Sequence, residues 1–116
     1  GGHNPAGGEA LAATLAGMAR KPTHLICGML NTKDVAGYMR PLAAQAQSLT
    51  AIDIPGEPNT LPAETTARIA AEVGLNARTA PDAATAVQQI ISESPHARLL
   101  ICGSLYLAGH ILRQHG

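Results

Sequence analysis

Short apolar runs alternate along this chain with stretches where apolar residues return every three or four positions, the signatures of buried strands and of one-sided helices. Residues 99–102 form the sharpest run. It shows no polar alternation, as in a central parallel strand covered on both faces, and it ends at Gly103, where a turn and then a helix capped by Ser104 are expected. The tetrapeptide Leu-Ile-Cys-Gly occurs twice, at 25–28 and at 100–103. Two strand ends of one kind suggest neighbouring parallel strands, with a crevice at their carboxyl ends where open α/β sheets bind ligands.

The rest of the pattern fills in the elements. Asn4 followed by Pro5 marks a helix start, and Leu11, Leu15 and Met18 carry an inward stripe to about residue 19. Glycines in the first turn of that helix leave amide N–H groups open to an approaching anion. A strand over 23–29 leads into a loop where Asn31 or Thr32 caps the next helix. That helix turns Val35, Tyr38, Met39 and Leu42 inward, and Pro41 kinks or divides it. A second strand over 49–54 gives way to a loop over 55–61 rich in Pro, Gly and Asn. Pro62 opens a third helix with Ile69 and Val73 inward and Gly74 as its stop. Residues 76–79 are weakly apolar and suit a short strand near a sheet edge. Asp82 caps a fourth helix with Ala83, Val87, Ile90 and Ile91 as its buried stripe, and Ser94-Pro95 ends it. After the 97–102 strand, a last helix packs Leu107, Ile111 and Leu112 inward.

Strands alternating with helices and joined by right-handed crossovers define the α/β class. The expectation is a three-layer Rossmann-like domain, with a mainly parallel sheet of about four strands flanked by helices. The 23–29 strand lies beside the 97–102 strand, the other two stack outward from the first, and the crevice falls between Gly28 and Gly103.

Composition narrows the picture. At 116 residues the chain makes one domain, 1–116, and with no Trp or Phe its core must be built from Leu, Ile, Val, Met and Ala. Eight basic and eight acidic residues cancel and form no basic stripe, so nucleic acid is not an expected partner. No apolar run approaches the roughly 18–20 residues of a membrane span, and no signal-peptide pattern is present. The two cysteines, Cys27 and Cys102, read as inert buried thiols of a reducing cytoplasm, since a disulfide between parallel neighbours would be strained. No His or Cys stands at ligand spacing, so no metal site is expected.

Three motifs stand in order: His3-Asn4-Pro5 after two glycines, Gly28-Met29-Leu30-Asn31-Thr32-Lys33-Asp34, and Cys102-Gly103-Ser104-Leu105-Tyr106-Leu107. Together they resemble the C-terminal domain of dihydrofolate synthase/folylpolyglutamate synthase, within the Mur ligase superfamily, over essentially the whole chain. The linker motif of that family is Asp-Gly-Ala-His-Asn-Pro; here Gly2 takes the alanine position, and the aspartate would precede Gly1.

The resemblance implies an ATP-dependent ligase that adds L-glutamate to dihydropteroate or folate through an acyl phosphate. It implies that ATP and Mg are held mainly by an N-terminal ATPase domain of the same chain, and that this domain closes over them. By the same resemblance His3 and Asn4 lie near the nucleotide, Lys33 pairs with a glutamate carboxylate, and Ser104 hydrogen-bonds the same substrate, with Asp34 and Tyr106 nearby. No residue of this chain is expected to be catalytic. No Gly-x-x-x-x-Gly-Lys-[Ser/Thr] occurs, so the chain is expected to be a fragment, inactive alone and monomeric. Taken without the resemblance, Lys33 is a solvated charge at a helix start, Ser104 a cap, Asp34 a partner for the helix dipole and Tyr106 a core residue. His110 and His115 are surface residues on that reading. The alternatives in other classes are a free-standing α/β module that binds a small anion without chemistry, and a scaffold that keeps only the fold.

Overall fold

The computed structural model describes residues 5–31 and 34–103. Four strands, β1 (Thr23–Cys27), β2 (Ser48–Ala51), β3 (Ala77–Thr79) and β4 (Arg98–Cys102), alternate with helices α1 (Pro5–Ala16), α2 (Val35–Met39), α3 (Ala63–Glu72) and α4 (Ala83–Glu93). The sheet is parallel throughout, in the order β3-β2-β1-β4. The chain thus steps outward from β1 through β2 to β3, then returns across to the far side of β1. This is the expected topology, and the reversal of direction falls between β1 and β4, at the place where open α/β sheets bind ligands beyond the carboxyl ends of their strands.

The pleat sorts side chains into two cores. Leu25, Cys27, Leu49, Ala51 and Cys102 pack with Leu15, Val35, Tyr38, Met39, Leu42 and Ala70 on the face covered by α1, α2 and α3. Ile26 and Ile52 meet Ala83, Ala86 and Ile90 of α4 on the other. Small residues let these helices lie close to the sheet, as a chain without Trp or Phe requires. Pro41 acts as the sequence indicates: α2 stops at Met39 and the chain continues as a 3-10 turn, Arg40–Ala44, which still buries Leu42.

Several local expectations are corrected. The cap of α2 is Asp34, not Asn31 or Thr32; its Oδ1 accepts the Gly37 N–H at 2.8 Å. Met18 lies beyond the end of α1 and is 47% exposed, and Ile91 is 49% exposed, so neither belongs to its helix's buried stripe. β4 is not central. Among the described strands it neighbours β1 alone, and only Cys102 of its five residues is fully buried. The first turn of α1 is not open at Gly8 either: a Cβ there would collide with the main-chain carbonyl of Tyr38, so this glycine is what lets α1 press against α2.

Candidate functional site

Parallel strands in register bring Cys27 and Cys102 side by side at the carboxyl edge of the sheet. Each is followed by glycine, and at Gly103 the reason is plain. Its φ is +75°, and a Cβ would lie 2.6 Å from the Met29 Sδ, 2.9 Å from the Cys27 Sγ and 2.9 Å from the Gly28 carbonyl oxygen. Only glycine lets the two strand ends pass so closely while the chain turns out of β4.

Tyr38 ties this edge to α2. The Gly103 N–H donates to the Tyr38 phenol oxygen at 2.9 Å, and the Cys102 and Cys27 thiols are neighbours of the phenol. Burial pushes the Tyr38 phenol well above its ordinary range, reinforced by the neighbouring thiols. The Cys27 thiol is likewise raised, first by its hydrogen bond to Cys102 and then by burial. Both cysteines are free and buried, the unreactive thiols that their sequence setting indicates.

The loop after β1 is pinned on both sides. Leu30 and Thr60 form an isolated antiparallel bridge, the Asn31 N–H donates to the Asn59 carbonyl at 3.0 Å, and the Leu61 N–H to the Met29 carbonyl at 2.7 Å. Thr60 in turn accepts the Ile54 N–H on its hydroxyl at 2.8 Å, which holds the 55–61 loop against the end of β2. On the other side, Asp34 fastens the chain to the start of α2. Asp53, just beyond β2, accepts the Ala63 N–H at 2.7 Å and joins Glu64 in a small recess of about 400 Å³ bordered by Thr79 and Pro81. The described residues contain no group of three or more His, Cys, Asp or Glu able to hold a metal ion.

Of the residues singled out from the sequence, Asp34 lies at the start of α2, where its Oδ1 makes the capping bond. His3, Asn4, Lys33, Ser104 and Tyr106 lie outside the described residues, as do His110, His115 and the expected last helix. Tyr38 was legible only as a core residue; no local signal announces that its hydroxyl meets a backbone amide 65 positions on. The pairing of Leu30 with Thr60 is equally silent in the sequence, because an isolated bridge leaves no periodicity.

Topology points to one edge of the sheet, while a surface recess lies at the other. A cavity of about 630 Å³ lies at the opposite, amino edge of the sheet, lined in part by Arg20, Pro22, Thr23 and Arg98. The carboxyl edge remains the better candidate for chemistry. There the topology reverses and the loops are pinned.

Comparison with known proteins gives three findings. Residues 1–105 match the family described as Mur ligase, glutamate ligase domain. Folylpolyglutamate synthase of Lacticaseibacillus casei is 30% identical over 115 residues, covering 96% of this chain and 25% of that protein. Among solved structures, Mycobacterium tuberculosis folylpolyglutamate synthase complexed with ADP and AMPPCP is similar at 31% identity and a TM-score of 0.76, over 98% of this chain and 28% of that one. E. coli FolC in complex with DHPP and ADP shares the fold at a TM-score of 0.81 and 23% identity, over 97% of this chain and 27% of that one. The chain thus spans about a quarter of the length of the curated relative it matches.

Proposed function

This chain belongs to the Mur ligase glutamate ligase domain family, and on that premise we propose that it is the C-terminal domain of a longer ATP-dependent ligase adding L-glutamate to dihydropteroate or folate. In that reaction a substrate carboxylate is activated by phosphorylation, and the glutamate amine then displaces phosphate to form an amide. The observation that carries the reading is the match of the family over residues 1–105 together with the quarter-length coverage of a folylpolyglutamate synthase.

The division of labour follows from what this chain lacks and has. It carries no phosphate-cradling Gly-x-x-x-x-Gly-Lys-[Ser/Thr] and, among the described residues, no metal-ligand cluster. We assign ATP and its divalent metal to an N-terminal ATPase domain of the same chain. This domain supplies one wall of the cleft. Lys33 offers a mobile cation to a glutamate carboxylate, and Ser104 a hydroxyl to the same substrate. Asp34 fixes the end of the loop that carries Lys33, and Tyr38 holds the β4 end that leads to Ser104 and Tyr106. His3 and Asn4 meet the nucleotide from the interdomain side. Closure of this wall keeps water from the reactive acyl phosphate. The free buried thiols fit a reducing cytoplasm.

Two experiments test the reading. The coding sequence upstream of Gly1 is expected to encode a P-loop domain with an aspartate directly before Gly1; a start codon in that place would favour the free-standing anion-binding module instead. In the full-length enzyme, Lys33→Ala is expected to raise the KM for glutamate far more than that for ATP. An unchanged glutamate KM removes Lys33 from the site.

A further inference from the structure

The cavity at the amino edge of the sheet has a composition of its own. Arg20, Lys21 and Arg98 line it, three of the chain's eight Lys and Arg, and none of its lining residues is acidic. In a chain with zero net charge, that is a local segregation of positive charge. Arg98 is held in position: Nη1 donates to the Thr23 hydroxyl at 3.3 Å and Nη2 to the Ala19 carbonyl at 3.0 Å. Its guanidinium therefore already serves the carbonyl just past α1. Arg20 and Lys21 are left with no ion pair or side-chain hydrogen bond among the described residues.

Gln45 and Gln47 add side-chain amides from the segment leading into β2, while Leu15 and Met18 supply an apolar wall. A volume near 630 Å³ is that of a small-molecule site. Like charges brought together at a recess repel one another. A multiply charged anion relieves that repulsion, with two exposed cations, one prepositioned guanidinium and two amides to receive it. We infer that this cleft, formed by Arg20, Lys21 and Arg98 at the amino edge of the sheet, is a binding site for a small anion with two or more negative charges. The ligand chemistry is that of a polyphosphate or a polycarboxylate. The site is separate from the crevice at the carboxyl edge and does not rest on the ligase reading.

The test is an NMR titration of the isotopically labelled chain at low ionic strength, with inorganic tripolyphosphate in one series and citrate in another. The expected result is saturable shifts of the amides of residues 15–23 and 44–47, weakening as salt is added. The tighter of the two ligands identifies the phosphate or the carboxylate source. The double variant R20Q/K21Q changes two exposed side chains without bonds and is expected to weaken binding about tenfold or more. Should that variant lose the fold, Lys21→Ala alone is read the same way, by a smaller loss. Absence of saturable shifts with both ligands, equal affinity in the folded variant, or shifts confined to residues 28–31 and 59–61 would each overturn the inference.

Discussion

Tyr38 and Gly103, 65 positions apart, are joined by a buried hydrogen bond from the glycine amide to the phenol oxygen. The bond fastens the helix after β1 to the turn after β4, so the segments that leave these two paired strands are braced against each other. Removing the hydroxyl while keeping the ring isolates this effect. Tyr38→Phe leaves a buried amide unpaired and is expected to cost about 1–3 kcal/mol of unfolding free energy. Urea denaturation measures it; a loss within error of zero would show that the bond is not a brace.

Gly8 gives a prediction whose sign separates two effects. In an open helix, Gly→Ala stabilises by roughly 1 kcal/mol through backbone entropy. Here the added methyl meets the Tyr38 carbonyl, and forcing α1 away from α2 costs about 1–3 kcal/mol in overpacking. Gly8→Ala is therefore expected to lower the thermal midpoint. A raised midpoint would mean that α1 does not seat as described.

Thr66 on α3 is fully buried, and its hydroxyl has no hydrogen-bond partner among the described residues. Thr66→Val keeps the shape and removes the unpaired group, so a gain of about 1 kcal/mol is expected. Denaturation of the variant checks it, and a loss of similar size would point to a polar partner for that oxygen.

Stability should fall at both ends of the pH scale, for opposite reasons. At the acid end, the Asp82 carboxylate accepts the Thr85 N–H at 2.7 Å, and Glu93 pairs with Arg78 through two bonds of 2.8 and 2.9 Å. Both carboxyls are held below their ordinary values by these bonds. Their contribution is present above the ordinary carboxylate range and is lost as pH falls through it to the lowered values. At the alkaline end, the folded chain keeps the Cys27 and Tyr38 protons that the unfolded chain releases above 9.0 and 10.0 respectively. This contribution is whole below pH 9.0 and declines above it, by about 1.4 kcal/mol per pH unit for each such proton. Denaturation on both sides of that point checks the slope, and Cys27→Ala should make it shallower.

Much of the fold was legible because its signals are local. Pro41 interrupts a helix wherever the helix goes, Asp82 caps α4 with its own carboxylate, and the repeated Leu-Ile-Cys-Gly marks the two strands that pair in register. The misses come from neighbours that periodicity does not contain. Met18 continues the apolar spacing of α1, but the helix ends at Ala16 and leaves it outside. The cap of α2 is Asp34 because the helix starts only at Val35; Asn31 lies earlier, its amide bonded to the Asn59 carbonyl of the 55–61 loop, a contact made by remote chain. Of the candidate site, the glycine at 103 was legible and the Tyr38 hydroxyl was not, since the same Tyr at the same helical position would read as core with or without a partner.

The β1–β4 pairing has a consequence for synthesis. Thr23 is partnered by Arg98, so the strand made first among the four waits for the one made last. Until then β1 can pair only with β2, and its other edge offers unpaired amides and carbonyls to any passing strand. Closure over so long a loop is slow compared with a helix or a hairpin. A ribosome that stalls before residue 98 would release a chain with an adhesive edge, and the last strand is what turns that edge into an interior.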